Sequence, residues 1–297
     1  MKNLIIVTGG SGFVGSNLIK FLLKKSNYTI LSLDDYSSGT KLNHLINKRV
    51  RYIKGDTKNI SQILNKYKSK IKVLFHFGEF SRIYQSFVQM NKCIQSNTIG
   101  TNAVLDFCLK NKIKLIYSAT SASLGNKGKD KNLSPYAFTK SKNLELLENL
   151  KKWFNFKYEV IYFYNVYGPN QICSGKMATV IGIFEDHFIK RKILPVVKPG
   201  TQSRRFTHID DTIEVCYKAW KLNKNRHYSI TNKKSFSILE VAKLFKTKIK
   251  YLPSRKGERY ASALTNINYP NKIYKHYGKI NLKNYVKEFL QKYSKIT

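Results

Sequence analysis

Residues 4–15, LIIVTGGSGFVG, decide the fold. Four apolar residues run straight into glycines, as a short strand buried in a parallel sheet does. Gly9, Gly12 and Gly15 then stand in a GxxGxxG spacing where FVGSNLIKFLLKK (13–25) begins. That segment places apolar residues at 14, 18, 19, 22 and 23, one stripe of a helix. Glycines here let the backbone approach a pyrophosphate at a helix N-terminus, where unpaired N–H groups and the helix dipole favour anions. A tight structural turn would use the same glycines, but strand, loop and helix occur in the order a dinucleotide requires. The candidate contacts are Gly9, Gly12, Phe13, Val14 and Gly15.

Outward from this unit, strands and helices alternate. YTILSLDDY (28–36), VRYIKGD (50–56), KVLFHFG (72–78), KLIYSAT (114–120) and YEVIYFYNVYG (158–168) read as strands two to six. Helices are expected over 61–70, from about Ser81 to Lys110, and from Ser134 to about Phe154. Alternation at this pitch means βαβ units with right-handed crossovers, an α/β fold whose doubly wound parallel sheet is of the Rossmann type. After Gly168 the pattern loosens around Pro169, Pro195, Pro199, Pro253 and Pro270. The expected division is a dinucleotide-binding domain over 1–168 and, over 169–297, a smaller region that is mostly substrate-binding and partly interleaved with the first.

Composition excludes several classes. No apolar run approaches the roughly 18–20 residues of a membrane span, and MKNLIIVTGG breaks into glycine too early for a secretory segment, so a cytoplasmic protein is expected. Cys93, Cys108, Cys173 and Cys216 are scattered, as are the six histidines, so neither a disulfide framework nor a metal site is expected. The formal net charge is +37. Its lysines are spread over nearly every segment together with Asn, Ile and Tyr, which reads as AT-rich codon bias more than as a nucleic-acid patch. A nucleic-acid partner is therefore not expected, although an anionic nucleotide substrate would benefit from the field.

The second strand ends in LDDY. A carboxylate about 20 residues beyond the glycines hydrogen-bonds adenosine ribose hydroxyls and repels a 2′-phosphate, so Asp34 points to NAD. The bland alternative is an acidic loop cap. Asp56, closing the third strand, is placed to reach the adenine amino group.

In SPYAFTKSKNLELL (134–147), Tyr136 and Lys140 share a helix face, and Thr120 ends the fifth strand. Ligands of doubly wound sheets bind at the carboxyl ends of the strands, which brings all three to the cofactor crevice. An ammonium beside a phenol would lower the phenol's pKa from about 10 and make it a general base. Thr120 would orient the substrate oxygen. Tyr217 and Lys221 have the same spacing but follow no glycine loop, and their tyrosine lies on the apolar stripe 213/216/217/220, so that pair reads as packing with a solvated lysine.

With TGGSGFVGS, LDDYSSG, KGD, FHFGEFSR, NTIGT, YSATSASLG, PYAFTKSKNLE, FYNVYGPNQ, GTQSRRFTHIDD and RKGERYA in order, the chain resembles the extended short-chain dehydrogenase/reductase family, in its NAD-dependent nucleotide-sugar epimerase and dehydratase branch. The resemblance implies Tyr136 as acid/base, Lys140 on the nicotinamide ribose, Thr120 as its hydroxyl partner and Asn97 bracing the active-site backbone beside the cofactor. It further implies a nucleotide diphosphate sugar held by Asn165, Arg204 and Arg259, arginine's planar fork suiting phosphate. A homodimer through the 81–110 and 134–154 helices is also implied.

The family's 4,6-dehydratases usually follow the catalytic threonine with Asp-Glu; here Ser121 and Ala122 follow. Elimination therefore lacks its proton carriers, and the expected reaction is epimerisation through a 4-keto sugar. A 4-dehydrogenase or 4-ketoreductase is the second reading, and a non-catalytic NAD-binding or RNA-associated protein the third. Gly78 and Glu79 replace two small residues, adding a carboxylate that would bind a sugar hydroxyl, with Ser81 nearby, or face solvent. The 125–136 loop is short and lysine-rich, and Arg205 replaces a common aspartate.

Overall fold

A computed structural model describes residues 3–124, 131–257 and 273–294. The chain begins β1 (Leu4–Thr8), α1 (Phe13–Lys25), β2 (Thr29–Asp34), β3 (Val50–Lys54), α2 (Ile60–Leu64) and β4 (Ile71–His76). It continues with α3 (Ile83–Val88), α4 (Met90–Ile94), α5 (Thr101–Lys110), β5 (Lys114–Thr120), α6 (Ser121–Leu124), α7 (Pro135–Phe154), β6 (Tyr158–Phe163) and β7 (Val166–Tyr167). The remainder comprises α8 (Val180–Ile189), β8 (Leu194–Val197), β9 (Ser203–Arg205), β10 (Thr207–His208), α9 (Ile209–Leu222), β11 (His227–Thr231), β12 (Ser235–Ser237), α10 (Ile238–Leu244), β13 (Ile249–Leu252), β14 (Ile273–Tyr277) and α11 (Leu282–Tyr293).

Eight strands form one parallel sheet in the order β14-β11-β6-β5-β4-β1-β2-β3. Strand order reverses between β1 and β4, which opens a crevice above their carboxyl ends. Both faces are covered, so β1 is buried throughout and its sequence shows no alternation. On one face, Ile60, Leu64, Val104, Leu105, Leu144 and Leu147 from α2, α5 and α7 pack against Ile6, Leu74 and Leu115. On the other, Leu18, Ile19 and Leu22 of α1 join Ile209, Ile213 and Cys216 of α9 over Ile5, Val7 and Phe75. A separate core of Ile181, Phe184, Val196, Phe206, Val241, Phe245 and Val286 lies under α8, α10 and α11.

Two sequence expectations change. The 81–110 helix is broken: Val88 gives way to α4 at Gln89, and a π-helical stretch over Gln95–Gly100 precedes α5. The sixth strand ends at Phe163, because Asn165 takes a left-handed φ of 35° and diverts β7 to pair with β10. Beyond Gly168, β11 and β14 extend the large sheet and α9 packs on it. Among the described residues no helix is long and apolar enough to cross a membrane.

Candidate active site

The crevice holds a cavity of about 1000 Å³ that runs from the β1–α1 loop past β4 and β5 to α8 and β9. At one end, Gly9 has φ +67°, and a Cβ there would lie 2.8 Å from the Gly78 nitrogen. The β1 and β4 loops therefore touch backbone to backbone. A Cβ on Gly15 would strike the Gly9 carbonyl, so the third glycine lets α1 seat against the loop. Gly12 caps α1 without a side-chain hydrogen bond, which leaves the first-turn N–H groups of Phe13 and Val14 aimed outward for an anion.

Asp34 lies at the end of β2 with both oxygens engaged: Ser11 N–H and Tyr36 N–H donate to it at 2.8 Å each. Burial raises its pKa while those N–H donors oppose the rise. It thus caps its own loop and also lines the cavity. Asp56 caps the short turn at Thr57–Asn59 by accepting from Lys58 N–H at 2.9 Å, and it too lines the cavity. A backbone cradle that a side chain would fill, an uncapped helix start and a ribose-side carboxylate fit a dinucleotide.

At the other end, Ser134 caps α7 by accepting from Ala137 N–H at 3.1 Å, with Pro135 in the first turn. Ser86 Oγ accepts from Tyr136 N–H at 3.2 Å and locks the tyrosine's backbone. The Tyr136 ring packs among Phe80, Cys93, Ala122, Ala137, Ile83 and Met177, and Tyr136 and Thr120 both line the cavity. Lys140 is not its partner. The Lys140 ammonium donates to Glu79 Oε2 and, at 2.5 Å, to the Ser118 carbonyl, and lies 4.7 Å from the centre of the Tyr117 ring. The expected acidified phenol is therefore absent from this arrangement. Burial pushes Tyr136 up to about 12, while the Thr120 side chain lowers it, Glu79 raises it and Arg82 lowers it.

Glu79 was expected to bind a sugar hydroxyl or face solvent; its side chain is only 2% exposed and fully engaged within the protein. Thr101 Oγ1 donates to Glu79 Oε1 at 2.9 Å and Tyr117 Oη donates at 3.1 Å. Behind it sits His76, bonded to Thr101 at 3.1 Å and to Thr8 at 2.7 Å. Since the Thr101 proton goes to the carboxylate, His76 Nε2 carries the hydrogen. Burial pushes His76 down to about 4, so its ring is neutral and Nδ1 accepts from Thr8. Thr8 Oγ1 in turn accepts from Phe77 N–H and Gly78 N–H at 3.1 Å each. One chain of hydrogen bonds thus joins the glycine loop to Lys140.

Asn97 is wholly buried and acts on the backbone: Phe80 N–H donates to it at 2.7 Å and it donates to the Phe80 carbonyl at 3.0 Å. Asn165 donates to the Arg205 carbonyl at 3.1 Å, and Arg204 donates to the Ser203 carbonyl at 2.9 Å; both line the far end of the cavity. Ser81 is exposed at its rim. Arg259 lies outside the described residues. Arg82 had no role from sequence, yet it lines the cavity and grips the Met177 carbonyl with Nε at 2.8 Å and Nη2 at 2.6 Å. The signal was its place in FHFGEFSR; its partner, 95 residues away, was invisible. Tyr217 and Lys221 behave as packing: Tyr217 meets Phe21 edge-on at 5.4 Å and Lys221 lies over Trp220 at 4.5 Å. No metal-binding cluster occurs among the described residues.

Residues 5–231 match the model of the NAD dependent epimerase/dehydratase family. The chain belongs to this family. NAD is therefore its cofactor. A putative UDP-glucose 4-epimerase of Methanocaldococcus jannaschii is 28% identical, the match covering 86% of this chain and 88% of the relative. An ADP-L-glycero-D-manno-heptose-6-epimerase of Brachyspira hyodysenteriae is 29% identical, over 82% of this chain and 80% of that one. Among solved structures, the UDP-glucose 4-epimerase of Thermus thermophilus in complex with NAD superposes with a TM-score of 0.84 at 18% identity, covering 99% and 100% of the two chains. This epimerase/dehydratase family member thus has the doubly wound fold its sequence implied.

Proposed function

We propose that this family member is a nucleotide-sugar epimerase that oxidises the sugar at C4 and reduces the resulting ketone on its opposite face. The observation that carries the reading is the placement of Thr120 at the end of β5 and Tyr136 at the start of α7, both lining a cavity that continues to Asn165 and Arg204. Tyr136 takes the carbinol proton and returns it, and Thr120 orients the oxygen between the two steps. NAD, held by the Gly9–Gly15 loop and Asp34, would supply the hydride acceptor and donor. Asn165 and Arg204 hold the diphosphate, with Arg259 as a further contact. Ser81 meets the sugar from the cavity rim, and Asp34 and Asp56 serve the adenosine end. Buried Lys140 organises the ribose side.

Two observations favour epimerisation over dehydration. Ser121 and Ala122 follow Thr120 and carry no acid. The carboxylate nearest this end, Glu79, is held by Lys140, Thr101 and Tyr117 and is no proton carrier. The relatives' names, one a 4-epimerase and one a 6-epimerase, support the reaction type.

The test is incubation of the NAD-loaded protein with UDP-, dTDP-, GDP- and ADP-sugars, with products separated chromatographically and absorbance followed near 340 nm. An inverted sugar without net NADH is expected, and Tyr136→Phe should slow it about 10²–10⁴-fold. Accumulating NADH with a released ketone would replace the reading by a dehydrogenase. Inversion at C6 would move the site of oxidation.

A further inference from the structure

Resting on that reading, a second residue enters the chemistry. We propose that Glu79 is a positioning residue of the reaction, the internal counter-ion that fixes the Lys140 ammonium against the Ser118 carbonyl and cancels its field at the Tyr136 phenol.

The geometry supplies three independent reasons. First, Glu79 and Lys140 form an ion pair whose side chains are 2% and 4% exposed, so water does not screen it. Second, Glu79 is held from four elements besides α7: Thr101 on α5, Tyr117 on β5, and through Thr101 the His76–Thr8 relay on β4 and β1. A carboxylate with this many donors stays in place. Third, Lys140's remaining contacts, the Ser118 carbonyl and the Tyr117 ring face, also attract a cation, so the ammonium is seated away from a hydrogen bond to Tyr136.

The titratable groups interacting with this pair are His76, Cys93, Tyr117 and Tyr136, and Arg82 interacts with Tyr136. His76 is neutral, and burial pushes both Cys93 and Tyr117 up, so neither carries charge near neutrality. Glu79 and Lys140 are thus the opposed charges of the buried pair, and Arg82 is a further cation acting on the phenol. The sign follows: a negative charge disfavours phenolate, so removing Glu79 makes Tyr136 more acidic.

Two readouts test this in the NAD-loaded protein. One is the kcat/KM-against-pH profile on the sugar that is turned over. The other needs no turnover and is phenolate absorbance near 295 nm, taken as the difference between each protein and its Tyr136→Phe counterpart. Glu79→Gln should move both the alkaline-activated limb and the phenolate midpoint down by about one pH unit or more, with KM for the sugar nearly unchanged. Glu79→Asp, which keeps the charge, should restore the wild-type midpoint. If Glu79→Gln fails to fold, the neutral pair Glu79→Gln with Lys140→Met leaves no orphan charge. It should keep the midpoint within about half a unit of wild type, because both opposed charges are gone. An unmoved midpoint in Glu79→Gln overturns the proposal, as does a midpoint raised by a unit or more in the double variant. If no nucleotide sugar is converted but the midpoint moves as stated, the epimerase reading fails and the role of Glu79 stands.

Discussion

Tyr136 and Tyr217 each stand one helical turn from a lysine, and their neighbours separate them. The distinction was legible in sequence from the strand-end Thr120 and the glycine loop; the electrostatic relation within the Tyr136–Lys140 pair was not. It depends on Glu79, which lies 61 positions from Lys140 and comes from a different element. A second consequence at this scale concerns acid stability. Burial pushes both His76 and His227 down to about 4 from an unfolded value near 6.5. A histidine held neutral by the fold contributes stability that is present above pH 6.5 and is lost as pH falls through 4. Each is worth up to about 3 kcal/mol across that window. Urea midpoints should therefore fall steeply between pH 6.5 and 4, and His76→Gln should flatten part of the fall; a level wild-type profile would contradict it.

Among the elements, α7 carries the most function per residue. Pro135 and the Ser134 cap start it at one defined position, and that start sets where Tyr136, Lys140 and Asn143 enter the core. Both capping signals were readable in SPYAFTK. Ser134→Ala should cost about 1 kcal/mol in a denaturant or thermal melt. It should also reduce turnover beyond the loss of folded protein, because Tyr136 is the second residue of the helix; full activity per folded molecule would show that Ser86 alone positions it. The segment over 81–110 was less legible. Its apolar residues suit one long helix, but the Asn97 bonds to Phe80 draw the middle turn inward, and the backbone there widens to π geometry.

For the molecule as a whole, the outer surfaces of α3, the π turn and α7 expose apolar side chains that a lone chain would leave wet. Val88 is 59% exposed, Ile99 53% and Phe138 46%. Such a patch marks an interaction surface, and these are the segments expected from sequence to pair two copies. Light scattering should return twice the 34.5 kDa chain mass, and Val88→Glu with Phe138→Glu should halve it; a monomeric wild type would dismiss the pairing.

By itself, the sequence determined what is written locally along the chain. Strand and helix periods, the glycine spacing at α1 and the carboxylate after β2 all depend on neighbours within a few turns. Only the tertiary structure decided which charges meet. The return of α9, β11 and β14 to the large sheet, the grip of Arg82 on Met177 and the engagement of Lys140 by Glu79 join residues far apart in the chain. Burial and charge pairing act through space, and in a site closed to water they override the preference that any residue carries alone.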